Sequence, residues 1–149
     1  MPGTTTWFVN GIKHALSDVD WLADPITVAL TSSAYTPDQD AHEFFSSVTN
    51  ELATGNGYTA GGQLLTGKTV TIDAATNQCR LKAGNPQWTT AVGQTLTARK
   101  AVIYKNTGTP ATSPLLAVVD FGADKSASDG GSFAVAWDAT TGALYVDTP

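Results

Sequence analysis

The sequence predicts an all-β domain: an antiparallel β-sandwich, jelly roll or barrel of about eight strands with one or two short helices. Three observations carry this. The apolar runs either alternate with polar residues at period two or last only four or five positions, too short for ordinary helices. Turn-forming clusters of Gly, Pro, Asn and Asp recur about every ten residues. Charged residues are only 14% of the chain against 42% hydrophobic, a composition for a packed core and not for a disordered tail. At 149 residues the chain suits one domain that buries roughly two-thirds of its unfolded surface. We divide it into an N-terminal arm with a short helix, residues 1–20, and a β domain, residues 21–149.

Taken in order, residues 1–5 read as loose. Trp7, Phe8, Ile12, Ala15 and Leu16 fall near helical spacing, predicting a short amphipathic helix that Gly11 weakens and Asp18 to Asp20 ends. Ile26, Val28 and Leu30 alternate with Thr27, Ala29 and Thr31, a strand with one buried face. Thr36-Pro37-Asp38-Gln39 has the form of a capping box, and Ala41, Phe44, Phe45 and Val48 follow at i, i+3, i+4 and i+7. A helix of about three turns is expected there.

Gly55 to Gly62 is too glycine-rich for regular structure and reads as a loop. Its glycine spacing superficially suggests a dinucleotide fingerprint, but the strand before and helix after that would seat a pyrophosphate are missing from the pattern. Beyond Gly67 the chain reads all β. Val70 and Ile72, then Cys79, Leu81 and Ala83, alternate on either side of a turn at Asp73 to Asn77, which predicts a hairpin. Trp88 lies on a short strand or edge. Ala101 to Tyr104 and Leu115 to Val119 are two buried antiparallel strands, and the residues between them form a long exposed loop. Asp124 to Gly131 is another exposed loop. Phe133, Val135 and Trp137, a turn at Asp138 to Gly142, and Leu144 with Val146 predict a second hairpin.

The chemistry-bearing residues are sparse. One cysteine, Cys79, permits no intrachain disulfide and no multi-cysteine zinc site, and is expected to pack as a small apolar residue. His14 and His42, the only histidines, read as surface groups near helix ends, and neither belongs to a HExxH motif. No Gly-x-Ser-x-Gly elbow occurs. Asp38, Asp40 and Glu43 sit on an expected helix where they serve the dipole, and Asp120, Asp124 and Asp129 form only a weak calcium candidate. Trp7, Trp21 and Trp137 lie in apolar patterns and are assigned to the core. We expect no enzyme, no cofactor and no resident metal. No apolar run approaches the roughly 20 residues of a membrane span, and no signal-peptide pattern opens the sequence, so no membrane role and folding in a cytoplasm are expected.

Net charge is −5, unevenly spread. Lys68, Arg80, Lys82, Arg99, Lys100 and Lys105 share the middle of the chain with one acid, Asp73, while the flanks hold the other twelve acids against Lys13 and Lys125. This suits head-to-tail contacts or an acidic partner, and is too scattered for a nucleic-acid stripe. Lys68, Arg80, Lys82, Arg99 and Lys100, with Trp88, are the candidate partner-binding residues.

From Trp21 to Val146 the chain resembles a family of small structural proteins of tailed bacteriophages, encoded among head and tail genes. The motifs that carry the resemblance are Tyr35 to Asp38, Gly57 to Gly62, Ala101 to Lys105, Thr107 to Thr109, Ser113 to Leu115 and Asp120 to Gly122. It implies a virion component made in the host cytoplasm, with the major capsid protein or another virion protein as partner, and homo-oligomers at a symmetry axis. A capsid decoration (cement) protein is the first expectation, and a tail, neck or fibre-base protein the second. A surface carbohydrate-binding module is a third. That one requires an exposed aromatic platform from Trp88, Tyr58 or Tyr35.

Overall fold

A computed structural model describes residues Gly3–Thr148 and shows an all-β, sandwich-like domain. In chain order it comprises β1 (Thr4–Trp7), α1 (Val9–Ser17), β2 (Ile26–Thr31), β3 (Gln63–Leu64), β4 (Thr69–Asp73), β5 (Gln78–Lys82), β6 (Gln87–Thr89), β7 (Thr95–Lys105), β8 (Leu115–Ser128), β9 (Ser132–Ala134) and β10 (Leu144–Asp147). Short 3-10 turns occupy Phe45–Ser47 and Pro110–Thr112. The strands form a five-stranded sheet in the order β1-β8-β7-β2-β3, a three-stranded sheet β10-β5-β4 and a two-stranded sheet β6-β9, with every pairing antiparallel. These sheets stay open, so among the described residues the sandwich form holds and the barrel does not.

The pair expected at Ala101 and Leu115 is the spine of the main sheet, with Ala101 opposite Val119 and Ile103 opposite Ala117. Both strands outrun their apolar centres. β8 continues through Asp124 to Ser128, pairing back to Thr95 across an irregularity at Ala98/Lys100. Most of the expected loop at Asp124 to Gly131 is therefore strand, and the reversal shrinks to Asp129 and Gly130, both at positive φ.

Each face of the main sheet is covered. One packs Val28, Leu30, Ile103 and Val119 against Trp21, Tyr58, Trp88, Phe133 and Leu144, which come largely from the two smaller sheets and the loops joining them. The other packs Ala29, Val102, Tyr104 and Val118 against Phe8, Tyr35, Phe45 and Val48. For this reason β2 is buried along its whole length and not on one face alone.

The N-terminal segment also departs from expectation. Met1 and Pro2 lie outside the described residues, but Thr4–Trp7 is a strand in register with Ala117–Asp120. The glycine that weakens α1 has a packing reason: a Cβ on Gly11 would collide with the Leu116 carbonyl oxygen, so only glycine lets the helix lie this close to β8.

The helix expected from Pro37 to Val48 does not form. Asp38 takes the capping role expected of Thr36, its Oδ1 accepting the amides of Asp40 at 3.0 Å and Ala41 at 2.9 Å, but the helical bonding stops after His42 bonds back to Asp38. Phe44 is instead drawn into a bridge with Pro114, the Phe45 amide bonds the Ser113 carbonyl, and the Phe45 ring stacks on Tyr104 with centroids 4.1 Å apart. Tertiary pairing overrides the local signal.

The second hairpin is likewise absent. β9 pairs with β6 and β10 with β5, so the two arms of the expected hairpin belong to different sheets. The tight turn at Asp138 to Gly142 survives, with Asp138 Oδ1 accepting the Thr140 and Thr141 amides at 2.8 Å. The split occurs because Val135 bonds the Pro86 carbonyl while Ala143 bonds the Leu81 carbonyl.

Candidate functional site

Most of the basic residues expected to face a partner are engaged within the chain. Arg80 is buried, its guanidinium bonding Asp73 Oδ2 at 2.5 Å, Thr76 Oγ1 at 3.1 Å and Gln78 Oε1 at 2.9 Å, so it fastens the turn of its own hairpin. Lys82 is half-buried on the same strand. Arg99 bonds Asp120 Oδ1 at 2.9 Å, Lys100 donates to the Tyr35 carbonyl at 3.0 Å, and Lys68 donates to the Asp24 carbonyl. Lys105 pairs with Asp24 at 2.9 Å and reaches the Asp18 carbonyl at 3.0 Å. Charges that are segregated along the sequence thus meet in space, because antiparallel pairing lays the acidic flanks beside the basic middle.

The carboxylates register these contacts. Partial burial works against the charge of Asp24, yet the hydrogen bonds from Lys105 and the Asp20 amide, and the Lys105 and Lys68 charges, together hold its carboxyl below the usual range. At Asp120 burial is again outweighed, here by the Arg99 bond, the Gly122 amide and the Arg99 and Lys100 charges.

Trp88 is not a surface ring. It is 5% exposed and packs between Tyr58 and Phe133, with centroids 6.0 and 6.4 Å away. Tyr35 and Tyr58 are buried as well, so none of the three rings provides a sugar platform. His14, expected at the surface, is buried, with Nδ1 2.8 Å from Asp18 and Nε2 3.0 Å from Glu43. His42 is half-buried and stacks on Tyr35, whose hydroxyl lies 3.0 Å from its Nδ1. Both histidines tie the 36–48 segment down, one to α1 and one to the core. Among the described residues no group of three or more His, Cys, Asp or Glu is placed to hold a metal, and no helix is long and apolar enough to cross a membrane.

One surface does combine unusual features, and it lies on the three-stranded sheet. Alternation along β4 and β5 puts Val70, Ile72, Leu81 and Cys79 on one face, and β10 adds Leu144 and Val146. The pairing arranges these six as two cross-strand rows, Leu144–Leu81–Val70 and Val146–Cys79–Ile72. The first row leads into the core, where Leu144 is buried. The second overhangs it: Ile72 is 82% exposed, Val146 48%, and Cys79 is exposed rather than packed. At the open side of the sheet stands β4, an edge strand whose outer backbone groups take no hydrogen bond from the described residues.

The sequence displays the alternation of Val70 and Ile72, but not that the sheet runs past the layer beneath it. A cleft of about 440 Å³ lies between β1 and β10, lined by Thr5, Trp7, Val119, Trp137 and Tyr145 among others. Its floor is closed by the Trp7 indole donating to the Tyr145 carbonyl at 3.0 Å, and its Asp138 carboxylate is occupied by the turn amides. Comparison with protein-family models, with curated proteins and with solved structures finds no match for this chain.

Proposed function

We propose that this chain is a structural protein of a tailed-bacteriophage virion, acting as a decoration protein that binds the assembled head shell and ties neighbouring capsid subunits together. The resemblance of Trp21 to Val146 to phage structural proteins supports the class. The observation that carries the binding role is the overhanging row Val146–Cys79–Ile72, an apolar, uncharged strip beside an open sheet edge. Such a strip suits a protein partner better than a small polar ligand.

Magnitudes favour repeated use of the contact. Full burial of Ile72 contributes roughly 1.5–3 kcal/mol and that of the already half-buried Val146 about half as much before the cost of association is subtracted, which alone makes a weak complex. Across an icosahedral shell many identical weak contacts sum, and one copy tethered by its neighbours is retained. On this reading the protein is not an enzyme, needs no cofactor and works in the virion.

The deciding measurement is copy number per virion by quantitative mass spectrometry against the major capsid protein. One copy per one to three capsid subunits supports decoration. A handful of copies favours the tail, neck or fibre base, and absence from the virion overturns the class.

A further inference from the structure

We propose that β4 pairs antiparallel with β4 of a second copy, joining two three-stranded sheets into one six-stranded sheet across a two-fold axis. Edge strands in soluble proteins are blunted by Lys, Pro, bulges or cover. β4 has none of these between its ends: Thr69-Val70-Thr71-Ile72 is uncharged, β-branched throughout, and in regular register with β5. Other edges are shorter or engaged. β1 and β10 have four residues each, the Trp7 carbonyl accepts the Gln39 amide at 2.8 Å, and the Tyr145 carbonyl accepts the Trp7 indole. β3, β6 and β9 have two or three residues.

The sequence of β4 also selects its occupant. Only pairing centred on Thr71 engages all five residues of both strands, setting Thr71 against Thr71, Val70 against Ile72 and Thr69 against Asp73. In that register no charge faces its own kind, because each Asp73, already paired with Arg80 of its own hairpin, lies opposite the uncharged Thr69 of the other copy. A shift by two residues in either direction leaves residues unpaired at the strand ends.

The two apolar rows then complete each other. The exposed row Val146–Cys79–Ile72 of one copy runs directly into Val70–Leu81–Leu144 of the other, so the exposed Ile72 and Val70 meet at the junction and the row continues toward the buried Leu144 of its mate. An unrelated strand would share the backbone bonds but not this continuity, which a second copy supplies twice by symmetry.

The pairing does not depend on where in a virion the protein sits, and its test is separate from copy number. In a Cys79→Ser background, single cysteines are placed at Val70, Thr71 and Ile72, and the purified full chain is oxidised at tens of micromolar and run on a non-reducing gel. Thr71→Cys should crosslink alone, whereas Val70→Cys and Ile72→Cys should crosslink only when the two variants are mixed. Sedimentation of the unaltered chain should show a dimer, and Ile72→Lys should weaken it by about tenfold or more while leaving the melting temperature of the monomer unchanged. A monomer at these concentrations overturns the proposal. So does crosslinking of Val70→Cys or Ile72→Cys alone at the yield of Thr71→Cys, which would place the strands in another register.

Discussion

The Tyr58 hydroxyl donates to Glu51 Oε1 at 2.7 Å and accepts the Leu30 amide at 3.1 Å, pinning the glycine-rich loop to the core of β2. The same Glu51 oxygen takes the Gly61 amide at 2.5 Å, and the Tyr104 hydroxyl donates to the Gly61 carbonyl at 2.6 Å. Burial, reinforced by Glu51, pushes the Tyr58 phenol far up, and burial pushes Tyr104 up to about 12, so both remain proton donors. Tyr58→Phe keeps the ring on Trp88 but strands the Leu30 amide and leaves Glu51 Oε1 with the Gly61 amide alone. A loss of about 1–3 kcal/mol is expected, read from the denaturant midpoint at unchanged slope.

Gly62 closes that loop at φ +83°, and a Cβ there would run into the Val28 carbonyl oxygen. Gly108 has a similar φ of +87° with open space around it. Alanine at Gly108 should cost only the strain of the left-handed backbone, about 1 kcal/mol. Alanine at Gly62 should cost more, because β2 must also move. Equal melting temperatures for the two variants would show that the loop yields freely.

The same residues show what could be read in advance. Glycine and turn chemistry are local, so the Gly55 to Gly62 loop, the Asp73 turn and the central strand pair were visible in the sequence. The capping box at Thr36 to Gln39 is local too, yet the helix it predicts does not form, because Phe44 is held in a bridge with Pro114, some seventy residues downstream. His14 poses the same difficulty: its ring is bonded by Glu43 and packed by Phe44, about 30 residues away and in a segment expected to be helix. The candidate surface was half legible. Alternation assigned Ile72 to a face, but exposure depends on the extent of the opposing layer, which no local pattern encodes.

Acid should loosen the contacts between the acidic flanks and the basic middle. The folded-state pKa values of Asp18, Asp24 and Asp120 lie below their unfolded value of about 3.9, so their contribution is full above that pH and is lost as pH falls through the depressed folded values. Lys105→Met removes the ammonium that serves Asp24 directly and Asp18 through its charge. The variant should be less stable at neutral pH and show a shallower loss of stability between about pH 5 and pH 2. Parallel curves for the two proteins would exclude Lys105 as the source.

Surface and core substitutions should separate cleanly. Ile72→Asp, on a side chain 82% exposed, should change monomer stability by less than about 0.5 kcal/mol while lowering occupancy on heads. Trp88→Ala should cost about 3–5 kcal/mol and reduce soluble yield, since the ring lies inside the core. Arg80→Ala should act on stability as well, by releasing Asp73 and Thr76 at the hairpin turn. Heads that keep full occupancy with Ile72→Asp would move the binding surface elsewhere.

The pairing of Thr4 with Asp120 has a consequence for the order of assembly. A strand synthesised early must wait for one that emerges more than a hundred residues later, so the slot beside β8 is empty in the growing chain and for part of every refolding event. During that interval the main sheet exposes a raw border to whatever lies nearby. β1 cannot dock until β8 is made, and a neighbouring chain that offers its own β1 could reach the slot in that interval. Crowded synthesis therefore favours molecules that have exchanged β1, a hazard set by the sequence distance between β1 and β8 rather than by any weakness in the core.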